Sequence, residues 1–498
     1  MNLALLFLAA MLAPATCESL KSLSLENTTI TMAQFVAAGE FSLPATGRGA
    51  AQQNNAFKQL PAFCRVAATL KPSSDSDIKI EVWLPASNWN NKYQAVGNGG
   101  WAGTISYPAM GEALKRGYVT SSTDTGHVGG SGSFALGHPE KLIDFGHRSE
   151  HEMAVKSKAI TKAFYDKAPE LSYWNGCSTG GRQGLREAQS YPNDFDGIIA
   201  GAPANPRTHL AGWGVYVGQS ALKDKANTIP SSKFPMIHQA VVGACDALDG
   251  VKDGLIEDPG KCKFDFKTLA CTADDGPGCL TAGQVKTAQM ITSPAVNSKT
   301  GEMLYPGLSL GTELGWGTQA GGPEPNAVNV DQFKYVVFND PNWDWRNFNV
   351  DTDIALADKI DNGAVNAINP DLSAFKAHGG KLLLYHGWSD QNVPPMSTVN
   401  YYKSVLDKMG KGPQTDAFMR LFMAPGMAHC GGGEGPNQFD MVTTLEQWVE
   451  KGKAPDQIPA SHLTSGQVDR TRPLCQYPKV AQYKGSGSID DAANFVCR

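Results

Sequence analysis

The segment YWNGCSTGGRQG, residues 173–184, sets Ser178 between Gly176 and Gly180 in a G-x-S-x-G pattern, with Cys177 directly before the serine. Upstream, LSYWNG (171–176) reads as a short strand; downstream, RQGLREAQSYP (182–192) reads as a helix stopped by Pro192. A tight strand-to-helix turn forces its central residue into a strained backbone conformation and lifts the side chain above the sheet. Small flanking residues let the two segments pack closely. The Thr179 amide and the positive end of the helix then face any oxyanion that develops beside the serine. Glycine is abundant, 53 of 498 residues, so the five-residue pattern alone weighs little. In its strand-turn-helix setting a nucleophile turn and an ordinary glycine turn stand level, and the partners decide.

Working outward, residues 78–203 alternate strand and helix. IKIEVWLP (78–85) alternates apolar and polar residues as a half-buried strand does, YQAVGNGG (93–100) is a short strand running into glycines, and GYVTSSTDTGH (117–127) is another strand. Residues 144–167 have helical spacing, with Met153, Ala154, Ala159, Ile160 and Phe164 at inner positions. FDGIIAGAP (195–203) reads as a buried strand. The rhythm breaks from 205 to about 368, where proline, glycine, tryptophan and four cysteines cluster. It resumes with the strand KLLLYHG (381–387), a helix at 397–409, the strand FMRLFMAPG (418–426) and the helix FDMVTTLEQWVEKG (439–452). The expected class is α/β, a mostly parallel sheet with helices on both faces, interrupted by an inserted domain. The expected parts are a catalytic domain at 17–204 and 369–498 and the insertion at 205–368.

Composition narrows the function. With 41% hydrophobic residues and a formal net charge of -5, the chain has ample core, and its scattered basic residues exclude a nucleic-acid binder. The opening run MNLALLFLAAMLAPAT (1–16) is too short to span a bilayer and reads as a secretory signal, without the usual basic residue near Met1. The alternative is a lipoprotein signal ending at Cys17, although PAT fits that poorly. No other segment is long and apolar enough for a membrane helix, so a secreted, extracellular protein is expected, with no membrane partner. Ten cysteines and no CxxC pair favour disulfides over a zinc ribbon. Proximity pairs Cys245 with Cys262, Cys271 with Cys279, and Cys475 with Cys497. Cys17, Cys64, Cys177 and Cys430 remain. Asn27-Thr28-Thr29 is a glycosylation sequon of a kind that chance also supplies.

A serine needs a base, and the base needs a carboxylate to fix its tautomer. In an α/β-hydrolase these follow in the order Ser, Asp or Glu, His. Asp390 lies just beyond KLLLYHG in HGWSDQNVPP, and His429 lies past the next strand in APGMAHCGGG. Taken singly, each is an ordinary loop residue; taken together, in order and each after a strand, they complete a triad. Cys177 precedes Ser178 and Cys430 follows His429. A bridge between them would tie the nucleophile turn to the histidine loop, with a nominal chain-entropy effect of about 4 to 5 kcal/mol, and would leave Cys17 with Cys64.

With Cys177-Ser178, Asp390 and His429-Cys430 in place, the sequence resembles the tannase and feruloyl esterase family of secreted hydrolases, over most of the mature chain. GNGGWAG (97–103) and HGWSDQNVPP (386–395) belong to that likeness. The resemblance implies an α/β-hydrolase fold with a large inserted lid domain, a bridged Cys177–Cys430 pair, and a serine esterase acting through an acyl-enzyme on esters of aromatic acids. For the oxyanion hole the expected donors are the Thr179 amide and, from the glycine loop after the strand at 93–96, the Gly100 amide.

In the insertion, CDALDGVKDGLIEDP (245–259) interleaves Asp246, Asp249 and Asp253 with glycines. It departs from an EF-hand: Glu257 stands twelfth from Asp246, but Leu248, Gly250 and Val251 occupy the third, fifth and sixth places. From composition alone, a solvated acidic turn and a calcium loop are equal readings. The family resemblance implies a structural Ca2+ held by the side chains of Asp246, Asp249 and Asp253 and the carbonyls of Val251 and Leu255, and no organic cofactor. Trp213, Tyr216, Trp316, Trp343 and Trp345 are aromatic candidates for a lid surface over the acyl pocket, though lid aromatics are more often core. The expected activity is that of a feruloyl esterase acting on a small aromatic ester or a feruloylated plant cell-wall saccharide, with roles in polysaccharide degradation. A tannase cleaving galloyl esters is the alternative within the class. A catalytically inactive, calcium-stabilised carbohydrate-binding protein is the alternative outside it.

Overall fold

A computed structural model describes residues 16–43 and 50–498, and the side chains from residue 54 onward in the second stretch. The expected signal segment falls almost wholly on residues 1–15, outside the described residues. Nine strands form one sheet: β1 (Thr28–Val36), β2 (Phe63–Leu70), β3 (Ile78–Pro85), β4 (Lys92–Val96), β5 (Val119–Thr123), β6 (Leu171–Cys177), β7 (Gly197–Gly201), β8 (Lys381–Gly387) and β9 (Met419–Ala424). Their spatial order is β1-β2-β3-β5-β4-β6-β7-β8-β9. The first three pairings are antiparallel and the remaining five, from β5/β4 to β8/β9, are parallel. Helices covering both faces of its parallel part leave those strands no solvent side, and β7 and β8 read as nearly unbroken apolar runs for that reason.

Burial corrects one expectation. IKIEVWLP is not half-buried: every residue of β3 but Lys79 is buried. Its two charged positions hide the reason. Lys79 lies at the strand's edge, while Glu81 is buried against Arg65 and also accepts hydrogen bonds from Trp83 Nε1 (2.9 Å) and Tyr107 Oη (2.7 Å). A carboxylate so partnered sits inside a core without being left unpaired. In the helix expected at 144–167, residues 144–148 form a wider turn and the α-helix runs Ser149–Tyr165. Met153, Ala154 and Ile160 face the core as expected; Ala159 and Phe164 are only half-buried, and Lys156, Ser157 and Thr161 are buried instead.

Between β7 and β8 the chain leaves the sheet for residues 202–380, and the boundaries expected at 205 and 368 fall inside that excursion. Its main helices, Arg207–Leu222, Phe234–Cys245, Ala282–Thr292 and Val350–Asp361, pack around cores of their own. One is built on Trp213, Ile237, Ile291 and Trp316, the other on Phe333, Trp345, Phe348 and Ile354. All ten cysteines are paired: Cys17–Cys64, Cys177–Cys430, Cys245–Cys262, Cys271–Cys279 and Cys475–Cys497. Among the described residues no helix is long and apolar enough to cross a membrane.

One ion cluster clasps the excursion to the catalytic half. His238, on the helix Phe234–Cys245, meets Glu313 Oε2 through Nδ1 and Glu434 Oε2 through Nε2, each at 2.9 Å. Glu434 lies four residues past Cys430. Burial alone would lower the imidazole's pKa, but hydrogen bonds and charge from the two carboxylates push it up to about 9. A folded-state pKa raised above the ordinary 6.5 contributes stability that is complete below that value and is lost as pH rises through about 9. The melting-temperature difference between wild type and His238→Ala is therefore expected to be greatest near pH 6 and to shrink toward zero by pH 10. Thermal unfolding followed by circular dichroism across that range checks it.

Candidate active site

The turn after β6 does what its sequence requires. Ser178 has φ 64° and ψ −121°, between β6 and the helix Thr179–Ser190. A Cβ on Gly176 would stand 2.4 Å from the Gly180 carbonyl oxygen, and one on Gly180 would stand 3.1 Å from Gly97 Cα. Both glycines are thus demanded by the close approach of helix, strand and the loop after β4. The Ser178 amide donates to Gly201 O (2.9 Å), and its carbonyl accepts from Ala204 N (3.1 Å). The strained residue is therefore fixed from the β7 side as well.

Asp390 and His429 come from the ends of β8 and β9. Asp390 is fully buried, and each of its oxygens has two donors. Oδ1 accepts from the amides of Asn392 (2.7 Å) and Val393 (2.9 Å); Oδ2 accepts from His429 Nδ1 (2.7 Å) and His386 Nε2 (3.0 Å). Burial alone would raise this carboxyl, but the charge of His429 and the hydrogen bonds from His386 and His429 hold it well below the usual carboxylate range. With Nδ1–H directed at Asp390, His429 presents a proton-accepting Nε2. Ser178 and His429 line one cavity of about 430 Å³. No hydrogen bond yet joins Oγ to Nε2, a contact that commonly tightens only when substrate is bound. The cavity also exposes the disulfide, Cys177–Cys430, whose Cα atoms are 6.0 Å apart across 253 residues of sequence.

Both expected oxyanion donors border this cavity. Thr179 Oγ1 donates to Gly100 O (2.9 Å), which locks the two loops together, and Gly100 adopts φ +55°. Neither the Thr179 nor the Gly100 amide has an acceptor among the described residues, so both remain free to bind a developing oxyanion.

Two polar neighbours escaped the sequence. His386 is the last histidine of KLLLYHG, four residues before Asp390; its Nε2 faces the Asp390 carboxylate and Val393 O (3.0 Å), both acceptors, so that nitrogen carries the proton. Its Nδ1 meets the Thr398 hydroxyl at 2.7 Å. Arg207, at the start of the helix Arg207–Leu222, lines the cavity too. The aromatic candidates do not. Trp213, Trp316 and Trp345 are buried in the two cores of the insertion, where Tyr216 and Trp343 pack beside them. The insertion instead offers the cavity Leu210, Thr318, Gln319, Asn326, Val328 and Asn329. A larger cavity of about 720 Å³, near Tyr402, Arg420 and Tyr477, contains none of the triad; chemistry, not volume, picks the site.

The acidic loop is closed by Cys245–Cys262. Asp246 accepts from the amides of Asp253 (3.0 Å) and Gly254 (3.1 Å), Asp249 from Val251 N (3.0 Å), and Asp253 from Leu255 N (3.2 Å). Asp253 also pairs with the buried Arg472 of the C-terminal hairpin. Burial first, then the neighbouring Asp253 and Asp246 carboxylates, push Asp249 up to about 6. The Val251 and Leu255 carbonyls accept no hydrogen bond from a described residue. The donors are thus all oxygens, as a hard cation prefers. Among the described residues, however, no three acidic, histidine or cysteine side chains are gathered closely enough to hold a metal. Glu257, the twelfth-position residue, turns away into the protein, where burial pushes it up to about 8 and it accepts from Ala481 N.

A mixed sheet whose parallel part delivers a strained serine, a buried aspartate and a histidine from the ends of β6, β8 and β9, in that chain order, defines a serine hydrolase of the α/β-hydrolase fold. The family model for tannase and feruloyl esterase matches residues 64–498. An uncharacterized esterase of Xanthomonas campestris pv. campestris is 38% identical over 97% of this chain and 91% of its own length. A protein of Aspergillus oryzae named as a probable feruloyl esterase B-1 is 36% identical over 97% and 93%. The crystal structure of feruloyl esterase B from Aspergillus oryzae superposes with a TM-score of 0.91 at 35% identity, over 97% of this chain and 99% of that one. Tannin acyl hydrolase from Aspergillus niger shares the fold, with a TM-score of 0.79 at 21% identity over 96% and 92%. The chain belongs to the tannase and feruloyl esterase family and is a carboxylic ester hydrolase.

The four donors around Asp390 make Asp390→Asn a severe change. An amide has one oxygen and one NH2, so in either orientation the NH2 faces two N–H groups. The variant is expected to lose kcat by roughly 10³- to 10⁴-fold and to melt several degrees lower. Steady-state kinetics beside thermal unfolding checks both.

Proposed function

We propose that the protein is a secreted feruloyl esterase, hydrolysing esters that join hydroxycinnamic acids to alcohols such as plant cell-wall saccharides. The observation that carries the reading is the match, along nearly the whole chain, to feruloyl esterase B of Aspergillus oryzae, with the triad, disulfide and glycine loop all present here. A cavity of about 430 Å³, apolar at Leu210, Val328 and Val393 and amide-lined at Gln319, Asn326 and Asn329, suits one substituted aromatic ring. Five disulfides favour an oxidising compartment and support export, with residues 1–16 as the signal.

The arrangement of Ser178, His429 and Asp390 supports an acyl-enzyme mechanism. His429 Nε2 takes the Ser178 proton as Oγ attacks the ester carbonyl, and Asp390 holds the imidazolium that forms. The Thr179 and Gly100 amides receive the tetrahedral oxyanion. His429 then returns the proton to the departing alcohol, leaving Ser178 acylated. Water, deprotonated by the same nitrogen, attacks the acyl carbon; the bond to Ser178 Oγ breaks, His429 returns the proton to Oγ, and the acid leaves. A fluorophosphonate probe is expected to label wild type and not Ser178→Ala; absence of label on folded wild type would favour a binding protein. Among methyl ferulate, methyl caffeate, methyl gallate and a terephthalate monoester, kcat/KM is expected to be highest for ferulate, by roughly tenfold over gallate. The reverse order would make the protein a tannase.

We further propose a structural Ca2+ with Asp246, Asp249 and Asp253 and the Val251 and Leu255 carbonyls as its ligands; the all-oxygen donor set is what favours it. It would offset the carboxylate crowding of the acidic loop, and the side chains would draw in around it. A chelator is then expected to lower the melting temperature by several degrees, reversibly on adding Ca2+, since a ligand at 100 times its Kd contributes about 2.7 kcal/mol. An unchanged melting temperature would remove calcium from the account.

A further inference from the structure

Arg207 stands apart from the other deeply buried arginines. Arg472 is paired with Asp253, and Arg182 donates to three carbonyls, Gly146 O (2.8 Å), Val365 O (3.1 Å) and Phe145 O (3.2 Å). Arg207 is just as enclosed, at 3% exposure, yet only one of its N–H groups meets a protein acceptor, Val328 O at 2.7 Å from Nη2. No carboxylate lies within ion-pair distance of it among the described residues. One face of the guanidinium is covered by Trp101, whose ring centroid is 4.7 Å from Cζ. The indole itself donates to the same Val328 carbonyl at 2.9 Å. A buried cation ordinarily carries a counter-charge, because removing it from water is costly. Arg207 lines the catalytic cavity together with Ser178 and His429. Among the described residues lining that cavity, Arg207 is the only one of the Asp, Glu, Lys and Arg class.

We propose that Arg207 is a specificity-determining residue of the acyl pocket, donating hydrogen bonds to an oxygen substituent on the aromatic ring of the acyl group. A phenolic oxygen and a ring carboxylate share the chemistry it recognises. The first accepts singly from the guanidinium edge, and the second accepts through two parallel N–H bonds. The proposal rests on the reading of the protein as an aromatic-acid esterase, and it adds which aromatic acids the pocket favours. The competing role is a purely mechanical one, in which Arg207 only pins the insertion to the Trp101 loop through Val328.

The test is kcat/KM for three matched methyl esters: cinnamate, 4-hydroxycinnamate and 4-carboxycinnamate, with wild type, Arg207→Gln and Arg207→Lys. Wild type is expected to favour both oxygen-bearing esters over cinnamate. In Arg207→Gln the ratio of 4-hydroxy to unsubstituted ester is expected to fall roughly tenfold, and that of the 4-carboxy ester by about 100-fold. Arg207→Lys keeps the charge but not the fork, and should lose more of the carboxylate preference than of the phenol preference. Ratios unchanged in a folded variant, however low the rates, would establish the mechanical role and overturn the proposal. If neither variant folds, inhibition of wild type decides. The free acids 4-hydroxycinnamate and 4-carboxycinnamate must then inhibit at least roughly tenfold more tightly than cinnamate; equal inhibition overturns the proposal. A wild type that cleaves gallate and none of the cinnamates, yet whose inhibition still ranks the acids in this order, would sink the feruloyl reading and leave the role of Arg207 standing.

Discussion

The bond between Cys177 and Cys430 joins the residue before the nucleophile to the residue after the base, and most of the site's geometry depends on it. His429 sits on a loop that runs directly into Gly431, Gly432 and Gly433, the last two in left-handed conformations at φ +69° and +91°. Such a loop has much backbone freedom to lose on folding. Weaker ties assist: Ser389 N donates to Met427 O (3.0 Å), and the His429 amide donates to Gln391 Oε1 (3.3 Å). Neither reaches the serine turn. Among the described residues the disulfide does, and closing a loop of 253 residues contributes about 5 kcal/mol by chain entropy. It also restricts the one distance on which proton transfer depends.

The second constraint is electrostatic. The carboxylate that orients His429 is wholly inside the protein, where an unpaired charge would not persist. Four donors keep Asp390 ionised, two from the turn that carries it and two from imidazoles. His386 thus shares Asp390 Oδ2 with His429 and helps hold the carboxylate in place. The insertion is held to this assembly by His238, which bridges Glu313 to Glu434 on the histidine loop. That contact ties the insertion, which supplies part of the cavity wall, to the loop that carries His429.

The parts of this site that could be read from the chain were those encoded by local pattern and order. The glycines around Ser178 gained weight from the strand before them and the helix after, and Asp390 and His429 each follow an apolar strand in the order the fold requires. The cysteines next to two of them completed the pattern. What stayed hidden depends on contacts between distant segments. His386 looks like the end of a buried strand until the turn at 387–390 folds Asp390 back onto it. Arg207 looks like the polar first residue of a helix, and only the stacked Trp101 and the missing carboxylate give it meaning. The edge strand β1 was also unread, because TTITMAQFV buries only Ile30 and lacks a clean alternation. The insertion's tryptophans went into its own cores, as large apolar side chains do in a segment that must pack by itself.

The central claim is that the disulfide acts on catalysis by placing the base. It is tested most directly by kcat of Cys177→Ala/Cys430→Ala on a saturating aromatic ester, well below the variant's melting temperature and with its near-ultraviolet circular dichroism intact. The account predicts a loss of roughly 100-fold or more in a protein that is still folded. A folded double variant that turns over at the wild-type rate would contradict it.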